Sequence, residues 1–108
     1  MTAAPDGAGP VLTALADPTR RQLLDRLAAH GETTATVLSA ELPVSRQALV
    51  KHLSVLENVG LVRSRRDGRE RRYAVRPEQL VDTARWMNDV ADRWSTRLDA
   101  IRRIAEGG

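Results

Sequence analysis

The stretch from residue 45 to residue 75 reads SRQALVKHLSVLENVG and then LVRSRRDGRERRYAV. Ser45 is a favoured helix N-cap, and Gly60 suits the end of a helix. Between them, apolar residues recur at helical spacing, at Leu49, Leu53 and Leu56. Two arginine-rich runs, 61–66 and 69–75, flank Asp67-Gly68, a dipeptide that suits a type I′ hairpin turn. The stretch therefore predicts an amphipathic helix followed by a two-stranded ribbon.

The positive charge of the chain is concentrated in this stretch. Residues 46–76 contain nine Lys and Arg against three Asp and Glu, a local charge of +6, whereas the whole chain carries +3. The remaining residues therefore carry a net charge of −3. A basic helix beside a basic ribbon is what the phosphate surface of a duplex attracts. The charge distribution predicts double-stranded DNA as a partner.

Two further helices are predicted upstream. Asp17-Pro18 is a strong helix start, because Asp caps free amides and Pro fits the first turn, and Gly31 suits the end. Residues 34–42 predict a second helix, which Pro43 ends; its apolar face is Val37, Leu38 and Leu42. Because only two residues separate this helix from Ser45, the pair predicts a helix-turn-helix. The ribbon that follows makes it a winged helix.

The C-terminal segment predicts one long helix, from Pro77 to about Ala105, roughly 43 Å in length. Its apolar residues alternate steps of four and three, the repeat of a helix packed along a partner helix. Because a small domain cannot cover such a helix alone, we expect a homodimer, with the short first helix at 11–16 contributing. The predicted interface is Leu12, Leu15, Leu80, Ala84, Met87, Ala91, Trp94, Leu98 and Ile101.

These elements together predict a mainly α protein with a small β-hairpin, a winged helix-turn-helix that dimerises through its long C-terminal helix. Residues 10–108 form the DNA-binding and dimerisation domain. Residues 1–9 are small and rich in Pro and Gly, and we expect them to be flexible.

The chain resembles the ArsR/SmtB family of bacterial winged-helix repressors over nearly its whole length. The motifs that carry the resemblance are LADPTRRQLLDRL at 15–27, LPVSRQALVKHLSVLENVGLV at 42–62, and the basic wing ending in RRYAV. The resemblance implies a homodimer whose recognition helix enters the major groove and which represses transcription by occupying promoter DNA.

Several departures place the chain with the metal-free branch of that family. The positions of the family's cysteine box hold Thr34, Thr36 and Ser39, and the sequence contains no cysteine. The C-terminal helix has four Asp residues but no His, so a soft metal finds neither thiolate nor imidazole there. We therefore expect no metal and no cofactor. Val50 stands where many relatives have a small hydroxyl residue, which leaves the base preference at that position open.

The DNA contacts are predicted on the outer face of the recognition helix and on the wing. They are Ser45, Arg46, Gln47, Val50, Lys51, Ser54, Arg65, Arg66, Arg69 and Arg71. Gln and Arg can pair with adenine and guanine edges, and the arginines at the wing tip suit backbone or minor-groove contact. The alternative is a solvated helix face and an edge ribbon protected by charge, with strand arginines paired to carboxylates.

Other functions stay open or are disfavoured. The tryptophans at 86 and 94 could line an effector pocket, which would make the protein a small-molecule-gated sensor. The winged helix could instead bind an acidic protein partner. No catalytic set of residues is present, so an enzyme is the weakest reading. With no apolar run of about 20 residues and no secretory-type start, we expect a cytoplasmic protein without membrane contact.

Overall fold

The computed structural model describes residues 4–107 and has the winged helix-turn-helix architecture that the sequence predicts. Within residues 4–107, five helices and three short strands follow one another. In order they are α1 (Ala8–Leu15), α2 (Pro18–His30), β1 (Thr33–Thr34), α3 (Ala35–Glu41), α4 (Arg46–Asn58), β2 (Val62–Asp67), β3 (Glu70–Val75) and α5 (Glu78–Ala105).

The first helix begins earlier than predicted. α1 starts at Ala8, not at residue 11, so Ala8 and Gly9 of the segment expected to be flexible lie in a helix. Ala8 is buried, and this burial favours the helical start. Pro10 lies in the first turn, where a backbone N–H would have no helical partner, and is therefore tolerated there. Residues 1–3 of the predicted flexible segment lie outside the described residues.

The helix starts upstream of the wing follow local capping chemistry. The Asp17 carboxylate accepts hydrogen bonds from the amides of Thr19, at 2.8 Å, and Arg20, at 3.3 Å. Gly31 ends α2 with φ 79°. Thr34 caps α3, with its hydroxyl accepting from the Val37 amide at 3.3 Å. The predicted helix ends at Gly31 and near Pro43 are confirmed to within one or two residues.

The predicted apolar face of α3 is wrong at Val37. That side chain is exposed, whereas Ala35 and Leu38 are buried. Since Leu38 faces the core three residues after Ala35, Val37 is turned about 100° away from Leu38. Leu42 lies beyond the end of the helix in extended conformation and is half-buried.

The sheet is three-stranded and antiparallel in the order β1-β3-β2. The sequence did not predict β1, which pairs Thr33 with Tyr73. The hairpin turn also differs from the prediction. Asp67 pairs with Glu70, so the two central turn residues are Gly68 and Arg69 rather than Asp67-Gly68. Gly68 has φ 65°, and no described non-glycine residue has positive φ, which is the sign pattern of a type II′ turn rather than type I′.

One aliphatic core joins the helices to the base of the hairpin. Its largest fully buried side chains include Leu23, Leu27, Leu38, Leu53 and Leu56. Gly60, with φ 82°, turns the chain from α4 into β2 where a side chain would also press on Gln79 of α5. No helix in the described part of the chain is both long and apolar enough to span a membrane.

The last helix extends away from this core. α5 is 28 residues long, about 42 Å at ~1.5 Å per residue. It packs against α1 near its start. Within α5, all of which is described, Thr83 is the one buried residue. The predicted long C-terminal helix is confirmed, and most of its surface has no partner within the protomer.

Candidate nucleic-acid interface

The orientation of α4 is set by its capping residue and its leucines. The Ser45 hydroxyl accepts a hydrogen bond from the Ala48 amide at 3.1 Å, and the helix begins at the next residue. Leu49, Leu53 and Leu56 are fully buried, as predicted. Because these leucines hold one face against the core, the opposite face of α4 is turned to solvent.

The predicted DNA-contacting residues of α4 lie on this outer face with one qualification. Arg46, Gln47, Lys51 and Ser54 are exposed, whereas Val50 is half-buried and packs partly against the core. Nε of Arg46 donates a hydrogen bond to the Thr36 hydroxyl of α3 at 3.3 Å. The outer face of the helix therefore carries two cationic and two neutral polar side chains, with the half-buried apolar side chain of Val50 between them.

The wing arginines divide into those that meet carboxylates and those that do not. Arg65 donates two hydrogen bonds to Glu32, at 2.6 and 3.2 Å, and Arg72 donates to Asp67 at 2.8 Å. Among residues 4–107, Arg66 and Arg69 have no carboxylate within 4.0 Å. The hydrogen bonds from Arg65 hold the pKa of the Glu32 carboxyl below its usual range, and those from Arg72 do the same for Asp67. The partner of Arg65, Glu32, precedes β1 and was not found by sequence reasoning.

The strand register places arginines directly opposite one another. Arg65 faces Arg72, and Arg66 faces Arg71, across the β2–β3 ladder. Like charges in such positions destabilise a sheet. Glu32 and Asp67 compensate the first pair. The second pair has no carboxylate within 4.0 Å among the described residues. Arg71 donates to the Ser64 hydroxyl at 2.9 Å, and this hydroxyl donates to the Glu57 carboxylate at 2.6 Å. An anion outside the ribbon would relieve this repulsion.

A depression joins the outer face of α4 to the wing. It encloses about 290 Å³. Its walls come from the start of α3, the first turns of α4 and the tip and base of the hairpin; they are Thr34, Ala35, Thr36, Arg46, Val50, Arg69, Glu70, Arg71 and Tyr73. Four of the predicted DNA-contacting residues therefore line one surface feature. Tyr73, Thr36 and Thr34 belong to it without having been predicted. The tyrosine could have been suspected from its position two residues after Arg71 on the same strand face.

The predicted dimer residues lie mostly on exposed apolar surface. Trp94 is 64% exposed and Leu98 61% exposed, which is unusual for side chains of this type. Leu12, Leu80, Ala84, Met87, Ala91 and Ile101 are exposed as well. Leu15 differs from them, since it is half-buried and packs on the protomer's own core.

The four Asp residues of α5 do not form ion pairs. None of Asp82, Asp89, Asp92 or Asp99 has a Lys, Arg or His partner within 4.0 Å among residues 4–107. In the same range, no three His, Asp or Glu side chains are grouped so as to hold a metal ion.

His30, in the last turn of α2, lies 2.7 Å from the Glu41 carboxylate of α3. His52, the other histidine, is half-buried on α4.

Comparisons with known proteins agree with this geometry. The family described as "Helix-turn-helix domain" matches residues 15–65, from the end of α1 into β2. The chain is 34% identical over 104 residues to a protein of Streptomyces lividans named a probable mercury resistance operon repressor. That match covers 96% of this chain and 82% of the relative.

Two solved structures are similar over nearly the whole fold. An ArsR-like transcriptional regulator from Rhodococcus sp. RHA1 is 41% identical with a TM-score of 0.83, and the match covers 92% of each chain. The homodimeric winged helix-turn-helix DNA-binding domain of a Mycobacterium bovis protein, studied by solution NMR, is 27% identical with a TM-score of 0.64. That match covers 85% of this chain and 91% of the other.

Proposed function

This chain belongs to the ArsR/SmtB family of helix-turn-helix, DNA-binding transcriptional regulators, and on that premise we propose that it is a homodimeric repressor of an inverted-repeat operator. The two α4 helices enter successive major grooves, about 34 Å apart, and the wings hold the flanking backbone. Occupation of the promoter by the dimer blocks transcription. The similar Streptomyces lividans protein, itself named a repressor, supports this outcome.

The observation that carries the DNA-binding part is the continuity between α4 and the wing. Arg46 and Val50 of α4 line the same depression as Arg69 and Arg71 of the wing. Helix α4 and the wing thus form one continuous cationic surface and not two separate basic patches. In this proposal the helix contacts are Ser45, Arg46, Gln47, Val50, Lys51 and Ser54, and the wing contacts are Arg66, Arg69 and Arg71. Arg65 orients the wing through its ion pair with Glu32.

The dimer part is supported by the unpartnered surface of α5. Large apolar side chains lie exposed along one face of α5, called the seam below; they are Leu80, Met87, Trp94, Leu98 and Ile101. Within the protomer, α5 buries only Thr83. A second copy of the same seam, related by a two-fold axis, would cover these side chains and double the apolar area removed from water. The homodimeric Mycobacterium bovis domain shares this fold and supports the same assembly. Mercury, which appears in the name of the Streptomyces lividans relative, is not carried over, because these 108 residues contain no cysteine.

Binding selection from random duplex DNA with the purified protein, read by sequencing, tests the proposal. We expect an imperfect inverted repeat with half-site centres one helical turn apart. On the selected duplex, Arg66→Ala and Arg69→Ala should each weaken binding and lower the slope of log K against log salt by about 1. Gln47→Ala should instead change the selected sequence.

Arg103→Ala, on the exposed end of α5, removes the same charge away from this surface and is the control. Recovery of no enriched sequence would overturn the proposal. If a wing variant bound DNA with the same salt dependence as the unaltered protein, the proposed contact between the wing and the DNA backbone would be wrong.

A second candidate is a regulator gated by a small apolar molecule. One observation favours it: α1 and α5 form an almost purely apolar depression, lined by Leu12, Trp86, Met87, Val90, Ala91 and Trp94. Leu12, Met87, Ala91 and Trp94 also belong to the predicted dimer interface, so an apolar ligand bound there would lie within that interface and could shift the population of dimers. Titration with anilinonaphthalene sulfonate, followed by tryptophan fluorescence at a concentration where the protein is dimeric, tests it. An unchanged spectrum in that titration would count against this candidate.

A further inference from the structure

The single tyrosine of the chain has a buried ring and an unpaired hydroxyl. Tyr73 is 7% exposed and belongs to the core cluster at the base of the hairpin. Its hydroxyl makes no hydrogen bond to any group within residues 4–107. No fully buried side-chain nitrogen or oxygen is left unpaired in this range, so the hydroxyl must reach solvent. Tyr73 lines the depression between α4 and the wing, and Arg71, Glu57 and Arg46 lie close enough to affect the pKa of its hydroxyl, which indicates that the hydroxyl opens into this depression.

The depression around this hydroxyl is cationic. Arg46 comes from α4, and Arg69 and Arg71 come from the wing, against one lining carboxylate, Glu70. Glu70 itself lies 3.8 Å from Arg72. Arg46 donates to the Thr36 hydroxyl and Arg71 to the Ser64 hydroxyl, so neither guanidinium contacts a carboxylate directly. Glu57 is linked to Arg71 only through Ser64, whose hydroxyl donates to it at 2.6 Å. The lining therefore keeps a positive charge of about +2, which an anion would complement.

The hydroxyl is a donor at neutral pH. Burial raises the pKa of Tyr73 above its ordinary value, and the nearby guanidinium of Arg71 only partly offsets this rise. The side chain thus keeps its proton and has no protein acceptor for it among the described residues. A donor aimed into a cationic depression calls for an oxygen acceptor that carries negative charge.

We propose that this depression holds one backbone phosphate of the bound duplex, with the Tyr73 hydroxyl donating to a non-bridging oxygen and Arg46 and Arg71 supplying charge. The inference rests on the proposed function, since the phosphate belongs to the DNA that α4 and the wing contact. The depression lies between the first turns of α4 and the wing, so a strand that contacts both elements would pass over it. Tyr73 would then help to hold the wing in place relative to the recognition helix through the bound DNA. Because Tyr73 carries no charge, the charge distribution alone does not indicate this role.

Tyr73→Phe is the direct test, because it keeps the buried ring and removes only the hydroxyl. We expect binding to the selected duplex to weaken about tenfold, as for the loss of one hydrogen bond to a charged group. The salt slope should stay unchanged, since no charge is lost, whereas Arg71→Ala should lower it by about 1. Thr96→Ala removes a hydroxyl from the exposed surface of α5 and is the matched control. Urea unfolding of each variant checks that the fold is retained.

Single methylphosphonate substitutions along the duplex locate the contact. At one position in each half-site, the neutral linkage should weaken binding of the unaltered protein but cause no further loss with Tyr73→Phe. Arg46→Gln should show the same non-additivity at the same position, which keeps the test valid if the tyrosine variant folds poorly. Additive losses at every position would overturn the proposal.

Further results show whether the site takes free phosphate or a phosphate of DNA, and whether the proposed function or only this inference fails. If inorganic phosphate shifts the Tyr73 ring resonances at millimolar concentration while Tyr73→Phe binds duplex as the unaltered protein does, the site takes free phosphate and the proposal is wrong. If the unaltered protein binds no duplex, the proposed function fails, and this inference fails with it. If the unaltered protein binds and Tyr73→Phe binds equally well, only this inference fails.

Discussion

Truncation of Leu98 to alanine should weaken the proposed dimer by an amount that follows from its exposure. The side chain is 61% exposed in the protomer and lies in the middle of the C-terminal half of the seam. Full burial of a leucine side chain contributes about 1.5–3 kcal/mol, so covering the exposed part contributes roughly 1–2 kcal/mol. A two-fold interface contains the residue twice. After allowance for the area that alanine still buries, Leu98→Ala should cost the dimer about 2–3 kcal/mol.

Sedimentation equilibrium over a wide concentration range measures this loss. The dissociation constant of the dimer should rise roughly 30- to 140-fold, since each ~1.4 kcal/mol is a factor of ten. The protomer should keep its helical circular dichroism spectrum, because Leu98 is not part of its core. Arg103→Ala is the control, since five residues along α5 place it about 140° round the helix from Leu98. A change of less than threefold for Leu98→Ala, with the control unaltered, would refute the assignment of this seam to the interface.

Three smaller predictions follow from single contacts. Ser45→Ala should lower the free energy of unfolding by about 1 kcal/mol, because the Ala48 amide loses its acceptor, whereas Ser45→Gly should lower it by only a few tenths; urea titration at fixed protein concentration compares them. Burial raises the pKa of the Asp17 carboxyl, but hydrogen bonds from the amides of Arg20 and Thr19 together lower it by more. The pKa of Asp17 in the folded protein therefore lies below its ordinary value. The charged Asp17 therefore stabilises the folded protein at pH values above the pKa that Asp17 has in the unfolded chain, about 4. This stabilisation is lost as the pH falls through the lower pKa of Asp17 in the folded protein. Asp17→Asn should therefore flatten the acid side of the stability profile, and parallel profiles would contradict this. Because Glu32 already neutralises Arg65, Arg65→Ala should change the salt slope of DNA binding clearly less than Arg66→Ala does, and equal slopes from the two variants would show the ion pair to be open in the complex.

The parts of the fold that the sequence predicts well are those set by neighbours along the chain. The Ser45 cap, the leucine face of α4 and the 28-residue α5 all follow from patterns within one helix. β1 could not be found in this way, because a two-residue strand exists only through its pairing with Tyr73, some forty residues later. The turn at the wing tip was misplaced by one residue for a related reason. Cross-strand pairing sets the register, and this pairing keeps Asp67 on the strand, where its carboxylate meets Arg72.

The composition of the candidate site shows the same division. The outer face of α4 was predictable from periodicity, but the separation of the wing arginines into paired and unpaired groups was not. Arg65 finds Glu32 across 33 residues of sequence, and only the assembled fold brings the two together. The sequence analysis expected some strand arginines to pair with carboxylates but did not identify Glu32 as one of them. The one sign that Tyr73 would reach the depression beside Arg46 was its position two residues after Arg71 on the same strand face.

Two features of the protomer are unfavourable when it is alone and become favourable when a partner is added. The first is the apolar seam of α5, which leaves Trp94 and Leu98 in water. The second is the cross-strand pair Arg66–Arg71, which no described carboxylate contacts directly. The partners they call for differ in chemistry, since apolar area calls for a second α5 and adjacent guanidinium groups call for an anion. Because α1 packs on α5 and also on α2 of the helix-turn-helix body, a dimer formed through the seam would hold the two cationic surfaces at a fixed separation. Fixed separation is what allows an inverted repeat to be distinguished from a single half-site, so weakening of the seam should reduce selectivity for spacing before it abolishes contact with DNA.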